Sequence, residues 1–292
     1  MAFDLNSLTT YIEQRRLPLI GEAVLKSRTA SLVSIQTDVK YKSVINLFNT
    51  DTTLQVGGCG WNSDGNVKLT QRVITSPLIK VNMSFCDKDM LKYWTGYEVK
   101  VASGRETLPF EEYFTRQIVD KVKAENEKMI WQGNDTLGVD GLIELMTADD
   151  TVVKPTIASG TTAFDAIKAV YMAIPEQVLD GASILVGADV YRQFIMELME
   201  KNLYHYSADN QDEMIYFPGT NVRIIALNGL NGTNIIVACR LDNLYIGVDM
   251  VNDAETFDAW YSKDFQEFRL AINYNLGTNY AFGNEIVMGT LS

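Results

Sequence analysis

Histidine is almost absent from this chain of 292 residues, and cysteine is scarce. The single histidine, His205, cannot build a histidine-rich metal site, and its stretch NLYHYSADN shows no catalytic partners for it. The three cysteines, Cys59, Cys86 and Cys239, are odd in number and far apart, which excludes a disulfide framework and a zinc-ligand pattern. We therefore predict reduced thiols and a plain loop or surface histidine, with no catalytic residue, no metal and no cofactor.

Long hydrophobic runs are also missing. No stretch approaches the roughly 18 consecutive apolar residues of a membrane-spanning helix, and the N-terminus MAFDLNSLTTYIEQRR lacks the pattern of a signal peptide. Basic residues are outnumbered, with 25 Lys and Arg against 37 Asp and Glu and a formal net charge of -12. Because affinity for phosphates comes from Lys and Arg, a sequence-reading nucleic-acid binder is disfavoured. We expect a soluble protein made in a cytoplasm, with no membrane partner.

Apolar residues make up 47% of the chain, enough to bury a core in one large or two smaller domains. The longest helical pattern is PFEEYFTRQIVDKVKAENEKMIWQGN, residues 109–134. Thr107 can cap it, Pro109 suits the first turn, and Gly133 can close it. Apolar residues recur at every fourth position in the first half, whereas KVKAENEK in the second half is polar on nearly every side. The helix is therefore predicted to outreach the support of its own chain.

Two extended segments, VINLFNTDTTLQV and NVKLTQRVITSPLIKVNMSF, flank the turn-forming stretch GGCGWNSDG, which predicts a long hairpin with a polar tip. A two-stranded ribbon is marginally stable alone and needs a surface to lie on, either in its own domain or elsewhere. The glycine cluster from Gly57 to Gly65 is not a phosphate-binding loop, because Asn66 and Val67 stand where such a loop needs Lys and Ser or Thr.

Residues 151–252 predict a mixed α/β segment. Two apolar stripes at helical spacing, around Phe164–Ile174 and Tyr191–Met199, flank the buried strand ASILVG, and the short strands VRIIAL, NIIVAC and LYIGV follow. Further on, apolar residues alternate in FRLAINYNL as in a strand with one buried face. The fold class is therefore predicted to be α+β.

The sequence shows few residue patterns that would indicate a catalytic or ligand-binding site. The acidic run DNQDE lacks the glycine and the distal Glu of a calcium loop. Acidic pairs and the tryptophans Trp61, Trp94, Trp131 and Trp260 have no diagnostic spacing. We expect a protein that is not an enzyme, and an acidic enzyme or a carbohydrate-binding module stays open as an alternative from another class.

The order of these parts resembles the major capsid protein of tailed bacteriophages. This is the Hong Kong ninety-seven type of shell fold, which encapsulin compartments share. The resemblance covers nearly the whole chain and is carried by two local stretches: the long helix running into GxxGLI at Gly138–Ile143, and the C-terminal region from about Ala254 to Leu291. Neither stretch is a strict motif.

The resemblance implies an N-terminal arm (1–42), a long E-loop hairpin (43–80), a peripheral domain with a long spine helix (81–150 and 253–292) and an α/β axial domain (151–252). It implies a structural protein that self-assembles into pentamers and hexamers of an icosahedral head enclosing double-stranded DNA. The expected location is the virion capsid, assembled in the host cytoplasm. An encapsulin-like shell around a cargo enzyme is the alternative within the same fold.

The resemblance also implies where subunits touch, and neighbours would then support the polar half of the spine helix. The expected contacts are Gly57, Cys59, Trp61, Asp64 and Lys68 near the E-loop tip, and Lys121, Lys123, Glu125 and Glu127 on the spine helix. Implied partners are other copies of the chain, portal, scaffolding and decoration proteins, and DNA contacted non-specifically. An arm beginning at Met1 leaves no room for a fused scaffolding segment, so a separate scaffolding protein is expected. Some members cross-link through an E-loop lysine, but no acceptor for Lys68 is recognisable.

Overall fold

The structure is a computed structural model that describes residues 5–51, 54, 57, 66–86, 93, 95–97, 110–203, 215–249 and 256–291. Its helices are α1 (Leu5–Leu25), α2 (Phe110–Gln132), α3 (Leu142–Ala148), α4 (Ala163–Met172), α5 (Glu176–Leu179) and α6 (Ala188–Glu200). Its strands are β1 (Ser34–Gln36), β2 (Lys42–Asp51), β3 (Asn66–Thr75), β4 (Leu78–Cys86), β5 (Ala182–Gly187), β6 (Ile215–Tyr216), β7 (Arg223–Leu227), β8 (Ile235–Arg240), β9 (Leu244–Val248), β10 (Thr256–Ser262), β11 (Glu267–Tyr280) and β12 (Val287–Thr290).

One five-stranded sheet forms the α/β layer, in the order β12-β8-β5-β7-β6. All six residues of its central strand β5 are buried, as expected for a strand that is covered on both faces. The apolar stripes of α4 and α6 pack with this sheet in one hydrophobic cluster that includes Ile167, Val170 and Phe194. The helices and strands predicted from these apolar patterns are thus present.

The second sheet is organised by the 14-residue strand β11. Its first half lies between β10 and β4, both antiparallel, and its second half pairs with β9, which also pairs with β1. Phe268, Leu270, Ile272 and Tyr274 all point to the buried face, which confirms the predicted alternation. Helices α1 and α2 pack together beside this sheet, and their apolar residues share one core cluster with it.

Strands β2 and β3 form a separate two-stranded antiparallel ribbon, from the pair Lys42–Thr75 to the pair Asp51–Asn66. The predicted hairpin is therefore present, but its second arm is shorter than expected. Pro77 lies two residues after Thr75 and cannot donate a ladder hydrogen bond, and after it β4 pairs with β11 instead. Residues 78–80, which were assigned to the hairpin, thus belong to the β11 sheet.

The helix α2 ends in a tight glycine-bounded loop. Gly133 has a φ of +73°, which confirms its predicted closing role, and Asn134 and Val139 exchange backbone hydrogen bonds across the loop. A Cβ on Gly141 would lie 2.3 Å from the backbone nitrogen of Gly133, so only glycine fits there. The second glycine of the GxxGLI stretch is therefore required by the close return of the chain to the helix end.

Three segments have partners other than those implied by the predicted division. The helix α1 of the predicted arm buries Ile12 and Val24 in the main core, so residues 5–25 are part of the folded body. Strand β9, placed in the axial segment, pairs with β11, and β12, placed in the peripheral segment, pairs with β8. Alternation in sequence shows which face of a strand is buried but does not specify its partner.

Among the helices of the described ranges, none has the length and hydropathy needed to cross a membrane.

Candidate intersubunit surface

The β2–β3 hairpin carries apolar side chains on its outer face. Val44 lies opposite Val73 and Phe48 lies opposite Leu69, and the two-residue alternation of strands places all four on one side of the ribbon. Their exposed fractions run from 43% for Val44 to 74% for Leu69. Between these pairs lies one polar pair, in which Gln71 donates a hydrogen bond to Asn46 at 2.9 Å. We call Val44, Phe48, Leu69 and Val73 the outer apolar face.

The opposite face of the hairpin is buried in its own subunit. Ile45, Leu47 and Ile74 are at most 7% exposed and pack with Val39 and Ala281 in a small cluster. The sequence left open whether the hairpin lies on its own domain or elsewhere, and the base of the hairpin lies on its own subunit. The strand alternation that exposes one set of apolar residues inserts the other set into the subunit.

A polar cluster ties the hairpin to the body beside this apolar base. Arg72 on β3 donates to Asp149 Oδ2 at 2.5 Å, and the hydroxyl of Tyr280 at the end of β11 donates to the same oxygen at 2.8 Å. Thr151 donates to Asp149 Oδ1 through its backbone N–H (2.8 Å) and its hydroxyl (2.6 Å). Four donors thus converge on one partly buried carboxylate.

These hydrogen bonds decide the charge state of the carboxylate. Burial raises the pKa of Asp149, but hydrogen bonds from Thr151, Arg72 and Tyr280 favour its ionised form more strongly and hold the pKa well below its usual value. Burial and the hydrogen bond to Asp149 raise the pKa of Tyr280 to about 12, so the phenol stays protonated and can donate. At neutral pH the cluster therefore contains an ion pair and a neutral phenol.

We expect this carboxylate to make stability depend on acid pH. Because the pKa of Asp149 is lower in the folded than in the unfolded chain, its contribution is complete above the unfolded value of about 4 and is lost as the pH falls toward and through the folded value. Urea unfolding at pH 7, 5 and 3 measures this dependence. At pH 7 the wild type should have a higher urea midpoint than Asp149→Asn, and the difference between the two midpoints should shrink toward pH 3. A gap that is constant with pH would contradict the assignment.

Helix α2 presents a largely polar stripe, and its other described side chains are buried or half-buried. The exposed positions recur at helical spacing: Arg116, Gln117, Asp120, Lys121, Ala124, Glu125 and Lys128. Of the predicted contact residues on this helix, Lys121 and Glu125 lie on this stripe. Lys123 is half-buried and lines a cleft of about 350 Å³ that it shares with Lys26, Arg28 and Asp120. That cleft holds both signs of charge.

Among the predicted contact residues that the structure describes, Glu127 is the one that lies inside the subunit. It is only 4% exposed, and its carboxylate accepts hydrogen bonds from the backbone N–H (3.0 Å) and the hydroxyl of Thr29. Trp131 donates its indole N–H to the same Thr29 hydroxyl at 2.8 Å. The prediction that Glu127 faces a neighbour is therefore wrong, because residues after α1 already satisfy its charge.

The neighbouring Asn126 completes the support of this half of the helix. It is fully buried, donates to the carbonyl of Ala23 at 3.2 Å and accepts from the hydroxyl of Tyr274 at 2.6 Å. Gly229 packs so closely that a Cβ there would lie 2.3 Å from the carbonyl oxygen of Glu127. The polar half of α2 thus leans on its own subunit, and only its outer stripe is available to a neighbour.

Truncation of Glu127 should therefore destabilise the subunit, whereas truncation of Glu125 should not. Glu127→Ala leaves the buried N–H of Thr29 without an acceptor and should lower the free energy of unfolding by about 2–4 kcal/mol. Glu125→Ala, two residues away on the exposed stripe, should stay within about 0.5 kcal/mol of wild type. Urea unfolding followed by circular dichroism measures both. Equal stability of the two variants would contradict the buried network.

The remaining predicted contact residues divide between described and undescribed positions. Gly57 is described and exposed, and Lys68 is exposed on β3 near Leu69. Cys59, Trp61 and Asp64 lie outside the described residues, as does His205. Sequence reasoning missed the outer apolar face, although the alternation in VINLF and KLTQRVI contains the signal. It also missed the Arg72 cluster, for which no local sequence signal exists.

In the part of the chain that the structure describes, no group of three or more His, Cys, Asp or Glu side chains is placed to hold a metal ion. Burial raises the pKa of the Cys239 thiol to about 12, so this buried cysteine stays protonated at neutral pH. Of the tryptophans, Trp131 is buried in the core and Trp260 is partly exposed on β10.

Neither the known protein-family models nor the curated proteins include a match to this sequence. Solved structures, however, are similar to it along most of its length. The procapsid of satellite phage P4 has a TM-score of 0.61 at 11% identity and covers 95% of this chain and 98% of that chain. The SrpI encapsulin complex of Synechococcus elongatus has a TM-score of 0.60 at 10% identity, with coverages of 91% and 88%.

The capsid of the native GTA particle is similar to the same degree, with a TM-score of 0.59 at 9% identity over 93% of this chain and 90% of that chain. Identities this low make the likeness one of fold. The chain has the α+β capsid fold that phage capsids and encapsulins share, so the fold class predicted from its sequence is confirmed.

Proposed function

We propose that this chain is a structural shell subunit that self-assembles into pentamers and hexamers and closes an icosahedral phage head around double-stranded DNA. The observation that carries the proposal is the outer apolar face, because two apolar cross-strand pairs lie exposed on a projecting two-stranded ribbon. Such a ribbon is a hazard in a protein that stays monomeric, since exposed apolar strands invite association. In a shell the same face has a partner on the next subunit.

The energetics favour assembly by repetition. Fully burying a side chain such as Phe48 or Leu69 is worth about 1.5–3 kcal/mol, so one hairpin contributes a modest contact. Pairing each face with a different surface of the next copy is a heterologous contact, which closes into rings when the rotation allows. Many copies of one modest contact then stabilise a closed particle without any single strong interface.

The exposed stripe of α2 is the second surface in the proposal. Lys121 and Glu125 carry opposite charges on it, and such exposed charges give orientation and register more than affinity. With a net charge of -12, the subunit holds DNA by enclosure and contacts it non-specifically. The proposed partners are other copies of the chain together with portal, scaffolding and decoration proteins. The proposed location is the virion capsid, assembled in the host cytoplasm.

An encapsulin-like compartment is the second candidate, because an encapsulin complex is among the similar structures at nearly the same TM-score as the phage P4 procapsid. The two shells differ in what they contain. Neither proposal assigns the chain an enzyme activity or a cofactor. An acidic enzyme or a carbohydrate-binding module is the alternative outside the shell class, and it requires no assembly.

Electron microscopy of the purified protein at high concentration tests the proposal directly. Rings or closed particles support a shell, and a monomer at every concentration, with and without host extract, contradicts it. Nucleic acid in particles from phage-infected cells would indicate a phage head. A single co-purifying protein held inside would indicate an encapsulin.

Polar substitution of the outer apolar face should block assembly and leave the fold intact. In Phe48→Ser/Leu69→Ser both changed side chains are exposed, so thermal melting should shift by only a few degrees, while particle yield in sedimentation should fall at least tenfold. The matched control is Asn46→Ser/Gln71→Ser, the polar pair on the same face, which should assemble close to the wild-type level. Normal particle yield from the first variant would show that the outer apolar face is not an interface.

A further inference from the structure

The hairpin base is held by contacts with different directional properties, which include a hydrogen bond from Asn279 to the carbonyl of Val73 at 2.7 Å beside an apolar and a polar cluster. The apolar cluster around Ile45, Leu47 and Ile74 is non-directional, because burial depends on area removed from water. The polar cluster at Arg72 is directional, because charge-assisted hydrogen bonds require short distances and defined angles. The apolar cluster alone would permit the ribbon to tilt, and the polar cluster restrains it.

The carboxylate in this cluster is held by residues outside the hairpin. Thr151 saturates Asp149 Oδ1, and Tyr280, whose ring is fully buried, occupies one site on Oδ2. The remaining site on Oδ2 faces Arg72. Gly283 closes the cluster, since a Cβ there would lie 2.1 Å from the Thr151 hydroxyl and 2.9 Å from Asp149 Oδ2. The acceptor is therefore preorganised, and the movable partner is Arg72.

Arg72 is held from a second direction as well. The Cζ atom of its guanidinium lies 4.3 Å from the centre of the Tyr280 ring, so the same tyrosine orients the carboxylate through its hydroxyl and the arginine through its ring. Lysine could supply the charge but neither the planar stacking nor the fork of donors. The site therefore restrains both the position and the tilt of β3.

Because Arg72 lies near the base of β3, a small change of tilt at Arg72 becomes a larger displacement farther along the strand. The strand continues outward through Leu69 to Asn66, six residues beyond Arg72, which at about 3.3 Å per residue is about 20 Å. A tilt of about 10° at Arg72 would displace the far end of the described ribbon by about 3 Å. The Phe48–Leu69 pair, three residues beyond Arg72, would move by about half as much, which is still enough to disturb a closely packed partner surface.

We propose that Arg72, Asp149 and Tyr280 form a latch that fixes the direction in which the hairpin leaves the subunit, so that its outer apolar face is aimed at a second copy of the chain. The inference rests on the proposed shell function only for the purpose of this direction, which is contact with a second copy. The latch itself is a property of the isolated subunit. Arg72 and Asp149 are positioning residues and belong to no apolar interface.

The direction of the hairpin can be measured in dilute, unassembled full-length chain. Nitroxide labels at Lys68→Cys on the hairpin and Glu144→Cys on α3, both exposed, report one distance by pulsed electron resonance, with Cys59 and Cys86 replaced by Ser. Wild type should give a narrow distribution. Arg72→Gln and Asp149→Asn should each broaden it about twofold, the double variant should broaden it no further than the singles, and Arg72→Lys should be intermediate.

Particle yield of the unlabelled variants gives the second measurement. Arg72→Gln and Asp149→Asn should each lower it at least tenfold. Lys201→Gln, which removes an exposed ion pair to Asp165 at 3.9 Å far from the hairpin, should leave both distance distribution and yield unchanged. Thermal melting of each variant shows whether it folds. If Asp149→Asn does not fold, Arg72→Gln on the ribbon supplies the same test.

The outcomes separate the latch from the shell function. An unchanged distance distribution in Arg72→Gln overturns the latch, whatever the particles do. A broadened distribution with a normal particle yield overturns the aiming role. If wild type forms no particles, the shell function fails, and the distance distributions still decide whether the latch exists.

Discussion

The strand β11 is the constraint on which the rest of the subunit depends. Over 14 residues it serves two sets of strands, pairing first with β10 and β4 and then with β9. Its buried face supplies Phe268 to Tyr274 to the core under α1 and α2, and its last residues hold the hairpin base. There, Asn279 donates to the carbonyl of Val73 at 2.7 Å, and Tyr280 holds the carboxylate that binds Arg72. One strand thus connects the core, the long helix and the projecting ribbon.

Helix α2 is supported within its own subunit, where its buried residue Glu127 accepts hydrogen bonds. A buried carboxylate is tolerated only when its hydrogen bonds are made, and Thr29 supplies two donors to Glu127. Trp131 and Asn126 extend the same network to the segment after α1 and to Tyr274. Such directional contacts set one register between helix, arm segment and sheet, which apolar packing alone would leave free to slide. Helix α2 can therefore keep a largely polar outer stripe.

Prediction from sequence succeeded for features that depend on residues close together in the chain. The apolar stripes of α4 and α6, the buried strand β5, the alternation in β11 and the glycine at the end of α2 all follow from periodicity and backbone freedom. It failed where partners are distant in the chain. Glu127 is 98 residues from Thr29, and Arg72 is 77 residues from Asp149, so no window of sequence shows either pair. The polar composition of KVKAENEK suggested exposure, because composition does not reveal which polar residues find buried partners.

The two faces of the hairpin show how one ribbon can serve both folding and association. The inner face contributes Ile45, Leu47 and Ile74 to the subunit, and those residues fold with it. The outer apolar face stays largely exposed in the isolated subunit, so the rest of its burial free energy is gained only when another surface covers it. Because a strand alternates with period two, both sets are encoded in the same two strands, and a register slip of one residue would exchange their roles. In the proposed shell the register has to be fixed within the subunit before assembly, and the apolar base and the charged contact at Arg72 are the contacts that we propose for this role.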